Sequence, residues 1–373
     1  MINKSEFSAT KRVARLIAFY LPQFHPIPEN DEWWGKGFTE WTNVAKAKPL
    51  FRGHYQPHVP ADLGFYDLRV PETRAMQAEM AREYGIEGFC YYHYWFGGER
   101  ILERPFNEVL KSGQPDFPFC LCWANQTWSG IWHGSPERIL IEQTYPGYGD
   151  HKLHFAVLLE AFTDERYLKI DGKPIFLIYR PKELPESKNV IEFWKELALR
   201  AGLKGLYVIG VTEQPEWDAS DYGFDASMVQ RLPSRKKWVS KRHPIKWFIN
   251  KYHQITHKPA IYSYKDDLPE AITSSDRGII KYPCIIPNWD NTPRCGKEGM
   301  VLHEATPELF RTNLRKLLQS TGRISFEHNL VFIKAWNEWA EGNHLEPDQR
   351  FGMQYLKVIK EEVSRNGKVI PER

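Results

Sequence analysis

Two carboxylates three residues apart, Glu338 and Glu341, stand in the segment Trp336-Asn-Glu-Trp-Ala-Glu-Gly-Asn-His-Leu-Glu-Pro347, directly after the apolar run Leu330-Val-Phe-Ile333. Glycoside cleavage needs one carboxyl group held protonated as an acid and a second held ionised as base or nucleophile, and unlike surroundings can separate their pKa values. Rings such as Trp336 and Trp339 stack on the apolar faces of sugars and exclude water. Taken alone, an E-x-x-E pair has a plainer meaning, the ion-pairing surface of a helix. Its place after a strand-like run favours chemistry, because ligands of parallel α/β folds bind at the C-terminal strand ends.

The elements that must hold this pair can be read from short apolar runs separated by amphipathic stretches. Eight such runs occur in order: Val13 to Leu21, Gly88 to Trp95, Phe117 to Asn125, Pro174 to Tyr179, Gly205 to Thr212, Ala226 to Gln230, Cys284 to Trp289 and Leu330 to Trp336. Helix-like segments lie between them, including Pro71 to Tyr84, Leu102 to Lys111, His151 to Phe162, Val190 to Ala201, Pro307 to Gln319 and Phe351 to Val363. This alternation predicts α/β architecture, a (β/α)8 TIM barrel, as a single domain over residues 1–373 with an insertion at about 231–281.

Polar and aromatic residues collect after these runs, where a barrel builds its site. The expected substrate contacts are Tyr92, His93, Trp95, Trp123, Asn125, Trp289, Asp290 and Asn337, with Gln23, His25, Trp34 and Trp41 shaping one wall. Tyr179, Arg180, Thr212 and Glu213 follow the fourth and fifth runs. Each residue singly also fits a structural polar role. The stretch from Asp31 to Asp67, with its several Trp, Tyr and His, is long enough for a folded βα-loop.

Composition excludes several classes. The net charge of +3 gives no global basic field for nucleic acid. The odd number of cysteines, Cys90, Cys120, Cys122, Cys284 and Cys295, and their apolar settings predict buried thiols in a reducing compartment. The N-terminal Met1-Ile-Asn-Lys-Ser-Glu-Phe-Ser8 has no signal-type apolar core, and no run is long enough to span a membrane, so a cytoplasmic protein is expected. No metal and no cofactor are expected. His25, His54, His58 and His93 could converge near the first two strands, but no H-E-x-x-H spacing supports a catalytic ion. There is also no G-x-S-x-G, D-x-D, G-x-G-x-x-G or P-loop motif.

One stretch stands apart. Residues 231–265 hold ten Lys or Arg and no Asp or Glu, interleaved with Trp238, Trp247, Phe248 and Tyr252, so the rest of the chain carries 3 − 10 = −7. A solvated excursion is the plain reading; a peripheral membrane contact with anionic headgroups or a lipid-linked pyrophosphate is the functional one.

Several long motifs resemble the bacterial WbsX family, often described as glycoside hydrolase family 99-like and associated with O-antigen and other surface-polysaccharide clusters. They are Ile17-Ala-Phe-Tyr-Leu-Pro-Gln-Phe-His-Pro26, Trp33-Trp-Gly-Lys-Gly-Phe-Thr-Glu-Trp-Thr42, Gly53-His-Tyr-Gln-Pro-His58, Gly85-Ile-Glu-Gly-Phe-Cys-Tyr-Tyr-His-Tyr-Trp-Phe96, Gly172-Lys-Pro-Ile-Phe176 and Trp336 to Pro347. The resemblance covers nearly the whole chain. It implies a (β/α)8 barrel related to retaining, metal-independent endo-α-mannosidases, with Glu338 as base and Glu341 as the acid that protonates the leaving oxygen. In that scheme the base deprotonates the sugar's own 2-hydroxyl, which attacks C1 to give an anhydro-sugar, an exception to the usual two-carboxylate mechanism. The family often has an acid after the W-A-N of the third strand; here Trp123-Ala-Asn125 is followed by Gln126.

The expected function is therefore cleavage or transfer of an α-linked, mannoside-type unit of a bacterial surface polysaccharide or its lipid-linked precursor. A sugar-nucleotide glycosyltransferase of O-antigen biosynthesis and a non-catalytic glycan-binding protein are the alternatives.

Overall fold

The computed structural model describes residues 12–130, 135–233, 258–271, 274–276, 279–321 and 324–364. The expected basic excursion falls largely on 234–257, outside the described residues.

Eight strands close into a parallel barrel: β1 Arg15–Tyr20, β2 Gly88–His93, β3 Phe119–Trp123, β4 Lys173–Ile178, β5 Tyr207–Thr212, β6 Ala226–Val229, β7 Ile279–Ile285 and β8 Leu330–Ile333. Each pairs with its sequence neighbours, and β8 returns to β1 with Arg15 opposite Leu330 and Ala18 opposite Ile333. Closure leaves no unpaired edge. The strands read as continuous apolar runs because both faces are covered: RLIAFY, GFCYYH and LVFI are buried at every position.

Helices follow where the amphipathic segments predict them: α1 Pro71–Glu83, α2 Arg104–Ser112, α3 Tyr148–Phe162, α4 Ser187–Arg200, α5 Pro307–Ser320 and α6 Gln354–Val363. α5 begins with Pro307 behind Thr306, whose hydroxyl accepts the Leu309 N–H, a typical start. It is clamped to α6 by Arg311 and Arg315, which both reach the buried Glu362 carboxylate.

Two expectations change. The seventh strand begins at Ile279, five residues before the expected Cys284, and residues 286–290 form its βα-loop. Lys281 and Pro283 had broken the apolar pattern; Pro283 nonetheless sits in register with Val229. The alternation also fails between β5 and β6, where residues 213–225 hold only the 3-10 turn Ser220–Tyr222. Trp217 fills that space, packed so closely on Gly210 that a Cβ there would collide with its ring.

The βα-loops build the walls of the mouth. Short helices Pro28–Trp34 and Glu40–Lys46 follow β1, and a hairpin of Trp128–Gly130 with Ser135–Ile141 follows β3. A parallel two-stranded ladder joins Ala260–Ser263 to Met300–His303. All five cysteines are free thiols, and four of them are buried. Among the described residues no helix is long and apolar enough to cross a membrane.

Candidate active site

Beyond β8 the chain folds back on itself: Asn337–Glu338 pairs antiparallel with Asn343–His344, and the 3-10 turn Trp339–Glu341 lies between them. The two glutamates therefore flank a tight turn at a strand end, a different setting from a helix surface. The Asn337 amide spans Leu21, accepting its N–H at 2.7 Å and donating to its carbonyl at 3.0 Å, which continues the β8–β1 ladder past the last strand residue. The turn ends at Gly342 with φ +53°, where a Cβ would come within 2.8 Å of the Asp290 Cβ and 3.0 Å of its backbone N. Gly342→Ala is thus expected to cost about 2 to 4 kcal/mol of stability, read by urea denaturation. A loss below about 0.5 kcal/mol would show that the turn tolerates the change.

Glu338 and Glu341 open onto a cavity of about 640 Å³ at the C-terminal mouth of the barrel. Every strand contributes to its lining: Leu21 after β1, Tyr94 after β2, Gln126 after β3, Arg180 after β4, Glu213 after β5, Gln230 after β6, Trp289 after β7 and Lys334 after β8. Two cations sit among the acids. Arg294 binds Glu341 at 2.7 Å and Glu40 at 3.0 Å; Lys334 lies 3.6 Å from Glu338 and reaches the Tyr92 and Tyr179 hydroxyls at 3.3 and 3.2 Å.

Three buried carboxyls against two buried cations leave one negative charge in excess, which a low-dielectric site relieves by binding one proton. The two carboxyls of the pair are pushed in opposite directions. The Glu338 pKa is pushed up to about 8, first by burial and then by the neighbouring Glu341, against the opposing pull of Lys334. Burial also acts to raise Glu341, but Arg294 and then Lys334 outweigh it and hold this carboxyl below the usual range. Burial raises Glu40, with Arg294 opposing. Burial acts to lower both cations, yet the facing carboxylates outweigh it and keep Arg294 and Lys334 charged. These directions, Glu338 up and Glu341 down, are the reverse of the reactive assignment implied by the family resemblance.

Of the residues expected at the site, Gln23, Trp34, Tyr92, Trp289, Glu338 and Glu341 line the cavity. The others stand behind it. His93, Trp95 and Trp123 face α3: His93 meets His154 at 2.9 Å, Trp95 donates to Asp150, and Trp123 donates to the Trp95 carbonyl. Strand alternation explains this, since Tyr92 and Tyr94 point inward and their neighbours outward. Burial lowers the His93 pKa to about 3, so it remains a neutral packing group. Asn125 grips the Arg180 backbone at 2.7 and 2.9 Å. Trp41 donates to the Tyr66 carbonyl, and His25 contacts the Pro22 carbonyl. Asp290 is surrounded by His54 at 2.6 Å, Gln56 at 2.7 Å and Thr292, while its N–H donates to the Glu341 carbonyl. It positions Glu341 from behind.

The four histidines considered together do not converge, because His25, His54, His58 and His93 take different partners. Sequence reasoning missed Glu40, Arg294 and Lys334. Glu40 stood in a quoted motif, and Lys334 lies four residues before Glu338. Arg294, in the short helix Thr292–Cys295, had no local signal.

Known proteins share this frame. A family model described as "Glycosyltransferase WbsX" matches residues 16–359. "Uncharacterized protein WxcX" of Xanthomonas campestris pv. campestris strain B100 is 37% identical over 360 residues, 96% of this chain and 51% of that protein, and its counterpart in strain ATCC 33913 matches equally. The chain spans about half the length of these relatives. Among solved structures, a "Glycoside hydrolase-like protein" aligns with TM-score 0.57 at 17% identity over 94% of each chain. The GH99 endo-alpha-mannosidase from Bacteroides thetaiotaomicron aligns with TM-score 0.53 at 14% identity over 94% of this chain and 96% of that one. The shared fold with these structures is the (β/α)8 barrel. The chain belongs to the WbsX family.

Proposed function

We propose that this chain is a glycan-active enzyme in which Glu338 and Glu341 share acid–base chemistry at a glycosidic bond, working as one catalytic domain. The observation that carries the reading is the buried carboxyl pair in a cavity lined by all eight strand ends, with the two pKa values pushed apart. The substrate is an α-linked, mannoside-type unit of a bacterial surface polysaccharide or its lipid-linked precursor, in line with the family and with a fold shared with endo-alpha-mannosidases. The basic stretch 231–265 supplies contact with anionic headgroups at the cytoplasmic membrane face, a role that sedimentation with anionic and neutral vesicles tests.

In the reaction Glu338 is the base and Glu341 the acid. A sugar hydroxyl presented to Glu338 stabilises its carboxylate, and the resting proton passes within the pair to Glu341, from which it reaches the leaving oxygen. The active form thus carries one proton on the pair whichever oxygen holds it. Deprotonation ends activity, so kcat/KM is expected to fall tenfold per pH unit above about 8, the value to which Glu338 is raised. A rate still climbing at pH 10 would remove the shared proton from the account.

The family's description keeps transfer from a sugar nucleotide as a second reading. Incubation with released and lipid-linked surface oligosaccharides, with and without sugar nucleotides, separates the two by product mass. Shortened glycans without nucleotide mean hydrolysis; growth only with nucleotide means transfer.

A further inference from the structure

We propose that His58, His344 and Asp348 form a binding site for a first-row divalent transition-metal ion of the zinc type, which clamps the loop after β1 to the loop after β8. All three residues are buried, and their candidate ligand atoms lie within 4.8 Å of one another. His344 Nδ1 is 2.9 Å from the Glu346 carbonyl oxygen. A carbonyl only accepts, so Nδ1 carries the proton and Nε2 presents a lone pair. That same support, one ring nitrogen donating to a carbonyl, fixes the orientation of metal-bound histidines generally. His58 Nδ1 lies 2.8 Å from His344 Nε2.

Asp348 completes the donor set. Its Oδ1 receives the N–H groups of Arg350 and Phe351 at 3.0 and 2.6 Å, and its Oδ2 the Tyr55 hydroxyl at 3.2 Å. Although Asp348 is only 3% exposed, no Lys or Arg side chain among the described residues pairs with it. A buried carboxylate beside two imidazoles suits a cation of intermediate hardness, with the neighbouring guanidinium, that of Arg350, lying over the Tyr55 ring and making no ion pair with Asp348. Without the ion, His58 donates to His344.

The site is apart from the reacting cavity, since none of the three residues lines it. His344 stacks on Trp339 with ring centroids 3.8 Å apart, and Trp339 lies between the two glutamates in sequence. The ion would act by holding that turn, so the residues are positioning groups.

The test uses untagged wild-type protein exposed to zinc and desalted. Expected are about one zinc per chain by elemental analysis, visible d–d bands on substitution with cobalt(II), and a thermal midpoint that drops at least about 4 °C with chelator and recovers with zinc. Asp348→Asn and His58→Gln should each lose the ion. Fewer than about 0.1 zinc per chain with a chelator-independent midpoint would overturn the proposal and leave a plain histidine hydrogen bond. Zinc retained in full by both variants would also overturn it, since the ion would then lie elsewhere.

Discussion

With a mannoside whose leaving group needs no proton, such as a dinitrophenyl glycoside, Glu341→Gln is expected to recover to within about tenfold of wild-type turnover, whereas Glu338→Gln stays at least about 100-fold down on every substrate. The asymmetry follows from the division of labour. An acid matters in proportion to the basicity of the oxygen it protonates, while the base is needed whatever departs. On the natural oligosaccharide both variants should fall at least about 100-fold while still binding glycan, because glutamine keeps the size and polarity of the replaced side chain. The opposite asymmetry would assign Glu338 as acid, in line with the upward direction of its pKa.

Arg294→Met is expected to destabilise the protein by about 3 to 5 kcal/mol, because it strands the Glu40 and Glu341 carboxylates in a buried setting. Breaking a buried ion pair from one side is costly even when the whole pair contributes little. The double variant Arg294→Met/Glu40→Gln should regain part of the loss, since one stranded charge disappears. Urea denaturation of the single and double variants measures this, and a single-variant loss below about 1 kcal/mol would mean that the carboxyls had already taken up protons. Activity should fall as well, because Glu341 loses the guanidinium that orients its carboxyl at 2.7 Å.

Much of the barrel was legible because its strands are buried on both faces and therefore read as apolar runs. β7 was misplaced because Lys281 and Pro283 interrupt its run, although pairing with β6 and β8 absorbs both. The missing helix between β5 and β6 depends on how Trp217 packs over Gly210, a tertiary fact. The place of Glu338 and Glu341 at the cavity was legible because motif and strand end coincide. His93, Trp95 and Trp123 misled for a simpler reason: along a strand every second residue faces away from the centre, and an aromatic run hides which ones do. Arg294 was invisible because its partners, Glu40 and Glu341, are distant in sequence and meet it only through the fold.

The most direct test of the central claim follows product masses from the organism's own surface oligosaccharides for wild type, Glu338→Gln and Glu341→Gln, with folding and glycan binding checked alongside. Altered glycans are expected with the wild type and nearly none with either variant at undiminished binding. Unchanged product formation by either folded variant would contradict the assignment of the carboxyl pair as the reacting groups.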